Sequence, residues 1–177
     1  MDRCEDIDID PENKQVYCAL TNNENHGNFY GQIIRITENG DDPAAEEFTF
    51  EVFAAGGPQT GFASPDNLAF DNGGNLWIVT DISSSAHNKG IYKSFKNNGA
   101  FFMPAGTAGP GGEVYQFASG PIESEMTGPF FTPDGKTLFL AVQHPGEESE
   151  TVDEPTSTWP GGDKPKPAVI DITGNFA

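Results

Sequence analysis

The chain has 177 residues, of which 27 are Asp or Glu and 9 are Lys or Arg, so its formal net charge is −18. No stretch approaches the roughly 20 apolar residues of a membrane-spanning helix, and no basic patch could neutralise the phosphates of a nucleic acid. The 21 Gly and 14 Pro residues exclude long amphipathic helices. We therefore expect neither a membrane span nor a nucleic-acid partner.

The N-terminal residues run from Met1 directly into charged side chains, which a signal peptide would not do. This indicates a cytoplasmic chain, or one whose N-terminal part lies upstream of Met1. The two cysteines, Cys4 and Cys18, are too few for a disulfide framework or a zinc ligand set. We expect both to be small buried side chains, the usual environment of a cysteine outside disulfides.

A repeat of 61 residues organises the chain. Asp10, Asp71 and Thr132 follow one another at this spacing, and each begins a turn rich in Gly, Pro or Asn between two strand-like runs. The run after each turn is continuously apolar, which predicts a strand buried on both faces. These runs are residues 16–20, 76–80 and 138–142. Further strands are predicted at residues 31–36, 48–53, 90–93 and 112–117.

About four strands in each repeat are typical of a β-propeller blade. The sequence thus predicts an all-β fold, a partial β-propeller of about three four-stranded blades. Because propellers close with four to eight blades, we expect residues 1–177 to be the C-terminal portion of one propeller domain whose N-terminal part is absent. Residues 147–167 are predicted to form an acidic loop rich in Pro and Gly. A β-sandwich is the competing architecture, and the regular repeat argues against it.

Several oxygen-bearing side chains fall in register just before the first strand of each repeat. Glu5, Asp66 and Thr127 occupy one position, Asn67 follows Asp66, and Glu125 lies two residues before Thr127. The first strands of propeller blades line the central channel, so these side chains are expected at its mouth. Crowded carboxylates repel one another unless a cation lies among them, and oxygen ligands favour Ca²⁺, then Mg²⁺, Mn²⁺ or Fe³⁺. The alternative is a role in a turn, which we expect for Asp10 and Asp71.

Two further side chains are candidates near the same mouth. Arg3 precedes Glu5 by two residues, and an arginine beside carboxylates and a cation suits a phosphate or carboxylate ligand. A simple salt bridge to Glu5 or Asp6 is the alternative. His144 ends the second strand of the third repeat and could be a ligand, a general acid or a hydrogen-bonded structural residue.

Several motifs, taken together and in this order, resemble the C-terminal part of PhoX-type alkaline phosphatases. They are residues 3–10, 16–23, 64–71 with 76–78, 127–147, 157–160 and 165–169. The resemblance implies a six-bladed propeller with iron and calcium at one mouth of its channel, and export by the twin-arginine route to the periplasm or beyond. It also implies that Glu5, Asp66 and Asn67, together with Glu125, are metal ligands and that Arg3 contacts the substrate phosphate.

One residue departs from the family pattern. Cys4 stands where the family motif usually has Pro, which could loosen the turn before Glu5. The family also uses a Cys ligand for iron in the N-terminal part of its members, and neither Cys4 nor Cys18 falls in that motif.

The resemblance predicts a metal-dependent hydrolase of small phosphomonoesters, to which this chain supplies part of the active site. The isolated chain is expected to be inactive and monomeric. Two alternatives remain open at this point. One is a calcium-binding propeller module without chemistry, and the other is a calcium-dependent propeller lactonase or esterase. Oxygen ligands at the mouth of the channel are consistent with all three functions, whereas Arg3 favours an anionic substrate.

Overall fold

Three antiparallel sheets make up the protein in a computed structural model that describes residues 2–106 and 112–176. The first sheet contains β1 (Cys4–Ile9), β2 (Val16–Leu20), β3 (Gln32–Glu38) and β4 (Phe48–Ala55). The second contains β5 (Pro65–Phe70), β6 (Leu76–Thr80), β7 (Gly99–Met103) and β8 (Tyr115–Ser119). The third contains β9 (Glu125–Phe131), β10 (Thr137–Gln143) and β11 (Ala168–Thr173). The predicted all-β fold of repeated sheets is confirmed.

Each sheet begins with a tight hairpin whose turn is held by a short polar side chain. The carboxylate of Asp10 accepts the backbone N–H of Glu12 at 2.8 Å. The carboxylate of Asp71 accepts the indole N–H of Trp77 at 2.7 Å and the side-chain amide of Asn75 at 2.8 Å. The turn role expected for both aspartates is therefore confirmed, and Asp71 also ties its turn to the core.

The third strand of the second sheet was wrongly predicted. Residues Gly90–Tyr92 form a short 3-10 helix, and the strand is β7. The helix forms because Tyr92 turns inward: its ring packs with Ala63 and Ile82, and its hydroxyl donates to the Phe29 carbonyl at 2.7 Å. Further 3-10 helices lie at Glu24–His26, Asn39–Asp41 and Ser84–Ala86. Within the described residues no helix is long and apolar enough to cross a membrane.

The third sheet also differs from the prediction. β11 was not predicted, and the described residues give this sheet three strands rather than four. Leu138 and Leu140 of β10 are buried, but Phe139 between them is exposed. β10 is thus buried on one face only, and the prediction that it would be buried on both faces is wrong. β2 and β6 are largely buried, as predicted.

Two apolar clusters lie between consecutive sheets. The first joins the first and second sheets around Tyr17, Phe62 and Ile78, and the second joins the second and third sheets around Trp77, Met126 and Leu140. The outer face of the first sheet remains exposed. Its exposed apolar side chains are Ile7, Ile9, Phe48, Phe50 and Val52.

The two cysteines have different environments. Cys18 in the middle of β2 is buried, with 4% of its surface exposed. Cys4 is exposed because it begins β1, which is an edge strand in this structure. The expectation that both would be buried is wrong for Cys4.

Candidate functional site

The starts of β1, β5 and β9 lie side by side, which is what brings the candidate residues together. β5 contacts β1 on one side and β9 on the other. The carboxylate of Asp6 in β1 accepts the backbone N–H of Leu68 in β5 at 2.9 Å. One repeat later, the side-chain oxygen of Asn67 accepts the backbone N–H of Gly128 in β9 at 2.9 Å. Side chains at equivalent positions thus join each inner strand to the next.

A β-bulge interrupts each of these inner strands. In β1 the irregularity lies between Cys4 and Asp6, so Glu5 is the extra residue opposite β2. In β5 it lies between Pro65 and Leu68 and includes Asp66. In β9 the register shifts between the pairs made by Thr127 and Phe130. A bulge re-aims the side chain that it carries, and here it places Glu5 and Asp66 at the same end of adjacent sheets.

Four carboxylates converge at this end of the sheets. Asp66 is 7% exposed, and burial, followed by repulsion from Glu125, Asp81 and Glu5, raises its pKa to about 7. Burial also raises the pKa of Glu125, with repulsion from Asp81 as the next cause. The pKa of Asp81 is raised too, because burial dominates although Arg3 and His144 favour its charged form. Carboxylates therefore lie close together at this site although their negative charges repel one another.

Arg3 is the cation that the chain brings to these carboxylates. Its Nε donates to Glu5 Oε1 at 2.7 Å, and its Nη2 lies 3.8 Å from Asp81 Oδ2. The salt bridge to Glu5 considered from the sequence is thus present, and about half of the Arg3 side chain remains accessible to solvent beside the carboxylates. Contact with a phosphate stays a prediction.

Glu125 is oriented by the end of β10. Gln143 Nε2 donates to Glu125 Oε1 at 2.8 Å, and His144 Nε2 lies 3.4 Å from Glu125 Oε2. The other ring nitrogen of His144 lies 3.4 Å from Glu147 Oε2, which in turn accepts the Ser84 hydroxyl at 2.8 Å. His144 has a positive φ of 34°, an uncommon backbone conformation for a residue other than Gly. It therefore lies between two carboxylates in a sharply turned segment.

The structure sorts the predicted residues into two groups. It brings Arg3, Glu5, Asp66, Glu125 and His144 to one end of the sheets. Asn67 and Thr127 instead bond to each other, because the Thr127 hydroxyl donates to the Asn67 side-chain oxygen. That oxygen also accepts the Gly128 N–H, so its observed role is to join two strands. Its assignment as a metal ligand stays a prediction.

The residue that sequence reasoning left out of the ligand set is Asp81. It follows β6, and its backbone N–H donates to the Ser64 carbonyl at 2.9 Å, which holds it beside the start of β5. Asp81 lies 62 residues before Gln143, the same offset as between the starts of the apolar runs at Leu76 and Leu138, so the repeat aligns these two strand-end positions. Among residues 2–106 and 112–176, no three His, Cys, Asp or Glu side chains are arranged to hold a metal ion by themselves.

Comparison with known proteins identifies the family. The sequence model of the family described as alkaline phosphatase PhoX matches residues 1–146. The chain belongs to the PhoX alkaline phosphatase family. A solved structure, Pseudomonas fluorescens PhoX in complex with vanadate, a transition state analogue, superimposes on the chain with a TM-score of 0.84 at 36% identity. The match covers 98% of this chain and 34% of that chain, so the chain spans about a third of that PhoX. No curated protein matches the sequence.

These matches confirm the resemblance found in the sequence and the fold class. PhoX members are phosphatases, which is the reaction class that the motifs indicated.

Proposed function

We propose that this chain supplies part of the active site of a metal-dependent alkaline phosphatase that hydrolyses small phosphomonoesters. The observation that carries the proposal is the half-exposed Arg3 side chain beside four converging carboxylates at the start of the inner strands. Family membership and the vanadate complex of the matching PhoX support the same reaction class.

The donor chemistry of the site fits hard cations. Glu5, Asp66 and Glu125 offer only carboxylate oxygens, Asp81 adds another, and Asn67 and Thr127 lie at the next positions along the inner strands. Burial is the main cause that raises the pKa values of Asp66, Asp81 and Glu125, and repulsion among the carboxylates adds to it, so a cation bound here would favour their charged forms. Ligand type favours Ca²⁺, and the family resemblance adds Fe³⁺. When bound, such cations supply positive charge that offsets the charge of a phosphate and of its transition state.

Arg3 is the residue that we propose binds the phosphate. Glu5 accepts its Nε–H at 2.7 Å, which fixes the plane of the guanidinium and leaves other N–H groups to point away from Glu5. A planar guanidinium can donate two parallel hydrogen bonds to phosphate oxygens. Gln143 and His144 hold the two oxygens of Glu125 in one orientation, and we propose that this keeps Glu125 aimed at a cation.

Two alternative functions would use the same carboxylates. One is a calcium-binding module without chemistry, and the other is a calcium-dependent lactonase or esterase. The phosphatase is favoured because Arg3 suits an anionic substrate and because the matching PhoX binds vanadate.

We further propose that the 177-residue chain alone is a monomer. We also propose that it has little or no activity, since it spans 34% of that PhoX. The parent protein is proposed to act in the periplasm or outside the cell.

The test is a chimera in which residues 1–177 replace the matching third of Pseudomonas fluorescens PhoX, assayed with p-nitrophenyl phosphate, Ca²⁺ and Fe³⁺. Arg3→Ala should lower the rate by about 100-fold or more, the usual cost of removing a donor that stabilises transition-state charge. Arg35→Ala is the matched control, because Arg35 lies on β3 and pairs with Glu51 away from the site. Equal rates for the two variants would contradict the role of Arg3.

A further inference from the structure

The two interfaces between consecutive sheets are built from equivalent aromatic residues. At the first interface the ring of Tyr17 in β2 meets the edge of Phe70 in β5, with centroids 5.1 Å apart. One repeat later, the ring of Trp77 in β6 meets Phe131 in β9 in the same manner, with centroids 5.3 Å apart. The two interfaces can therefore be compared position by position.

The second interface contains one additional ring, that of Phe176. This residue follows β11, and its backbone N–H donates to the Gly135 carbonyl at 2.9 Å in the turn of the third hairpin. Its ring centroid lies 5.7 Å from that of Trp77 and 5.4 Å from that of Phe131. Phe176 thus fills the space between the second and third sheets at the hairpin end, where it is buried.

The corresponding space at the first interface is a cavity of about 250 Å³. Its lining includes Tyr17, Phe53 and Phe70, together with Gly74 in the turn of the second hairpin. β7 has the place in the second sheet that β11 has in the third, but residues 104–114 after β7 contain no aromatic residue. Because a cavity of about 150 Å³ is enough to hold benzene, this one has room for a larger aromatic ring.

A buried acceptor also lines the cavity. Asp10 is 8% exposed, and its Oδ1 accepts backbone N–H groups of its own turn. No described residue donates to the other carboxylate oxygen, Oδ2. In the second repeat the equivalent oxygen of Asp71 accepts the indole N–H of Trp77 at 2.7 Å. Tyr17 stands where that repeat has Trp77, so Asp10 lacks this donor, and a buried acceptor without a donor is costly.

We propose that this cavity is a binding site for a small aromatic molecule that carries an N–H donor, of which indole is the simplest example. The ring lies among Tyr17, Phe53 and Phe70, in the space that corresponds to that of Phe176 at the second interface. The N–H donates to Oδ2 of Asp10, as the indole of Trp77 does to Asp71. One ligand therefore supplies both the ring and the donor that the first interface lacks.

The charges around the cavity restrict the ligand further. The carboxylates of Asp10 and Glu12 both line it, and so does Arg35. The Arg35 Nε donates to Glu51 Oε1 at 2.8 Å, so the positive charge of Arg35 is already balanced. An aromatic acid would meet the two carboxylates without a free cation. The site therefore takes neutral or positively charged aromatic molecules and rejects aromatic acids.

This cavity is separate from the proposed phosphate site. Asp10 directly follows the last residue of β1, whereas Glu5 lies near its first residue. The five residues between these positions span about 16 Å along a strand. The cavity thus opens at the hairpin end of the sheets, and the proposal does not depend on phosphatase activity.

The experiment is a calorimetric titration of the 177-residue chain with indole and with 1-methylindole, which has nearly the same shape but no N–H donor. We expect one indole to bind per chain, and 1-methylindole to bind at least about tenfold more weakly because it leaves the Asp10 oxygen unpaired. Asp10→Asn keeps an acceptor for the turn but presents an amide in place of Oδ2, so it should remove the preference for indole. Tyr17→Trp should abolish binding, because its own indole occupies the cavity. Asp153→Asn is the control and should bind both probes as the wild type does.

The location of the ligand is checked on the wild-type chain, so the test does not depend on the folding of a variant. In a nitrogen–proton correlation spectrum, indole should shift the backbone amide signals of Tyr17 and Gly74 and leave that of Glu5 unchanged. Three results would overturn the proposal: no saturable binding of indole, equal affinities of the wild type for the two probes, or shifts that are absent from Tyr17 and Gly74.

Discussion

Replacement of Asp66 by asparagine should stabilise the folded chain at alkaline pH. Burial and neighbouring carboxylates raise the pKa of Asp66 from its ordinary value of 3.8 to about 7. Between these values the folded chain binds a proton that the unfolded chain has already released, so stability falls as pH rises. An asparagine at this position would keep the size of the side chain and carry no charge, so the stability of the variant would not fall with pH for this reason.

The magnitude follows from the separation of the two pKa values. At about 1.4 kcal/mol per pH unit, ionisation of Asp66 costs the folded state up to about 4 kcal/mol once the pH exceeds about 7. At pH 4 the cost is below about 1 kcal/mol. Asp66→Asn should therefore raise the free energy of unfolding by about 2–4 kcal/mol at pH 8 and change it little at pH 4.

The assay is urea unfolding followed by tryptophan fluorescence, with a chelator present so that no cation balances the carboxylates. Trp77 is buried and reports on the core. Asp153→Asn is the control, because the Asp153 side chain is 86% exposed, and its effect should stay within about 0.5 kcal/mol. If Asp66→Asn were no more stable than wild type at pH 8, the proposed crowding of charge around Asp66 would be refuted.

The remaining predictions concern the fold and Arg3. Asp71→Ala should destabilise the chain by about 2–4 kcal/mol, because the Trp77 indole N–H would lose a buried acceptor at 2.7 Å, and an unchanged urea midpoint would argue against this role. Leu140→Ala should lower the free energy of unfolding by about 2–5 kcal/mol, because Leu140 is buried. Phe139→Ala, on the exposed face of the same strand, should lower it by less than about 1 kcal/mol. Equal losses for the two variants would mean that both faces of β10 are buried. In the chimera, an Arg3→Lys variant should recover only part of the rate lost in Arg3→Ala, because an ammonium cannot make two parallel bonds, and full recovery would show that charge alone suffices.

Much of the fold could be predicted because the turns and apolar runs are local signals. The bounds of β2 and β6 match the continuously apolar runs after Asp10 and Asp71. The error at Gly90–Tyr92 arose because Tyr92 has a strand-like sequence neighbourhood, yet it is drawn inward by the Phe29 carbonyl and by packing from other parts of the chain. Such long-range contacts cannot be recognised from the residues next to Tyr92 in the sequence.

The candidate site could be predicted in part for the same reason. The register of the repeat places Glu5 and Asp66 together, since equivalent positions on successive blades meet at one end. Glu125 lies two residues before the equivalent position in the third repeat, which is Thr127. Asp81 follows a different strand, β6, and reaches them through the pairing of β5 with β6. The repeat spacing aligns Asp81 with Gln143 but does not show that it lies beside Asp66. The bulges that aim Glu5 and Asp66 have no sequence signature here, because they depend on how two strands pair.

The most direct test of the proposed site is the phosphatase rate of the chimera that carries Asp66→Asn. The unfolding midpoint of the same chimera, measured with the cations of the activity assay, separates a loss of activity from a loss of folding. We predict that the rate falls by about 100-fold or more, while the Asp153→Asn chimera keeps the parent rate. A rate for Asp66→Asn within about twofold of the parent would contradict the claim that these carboxylates form the cation site of a phosphatase.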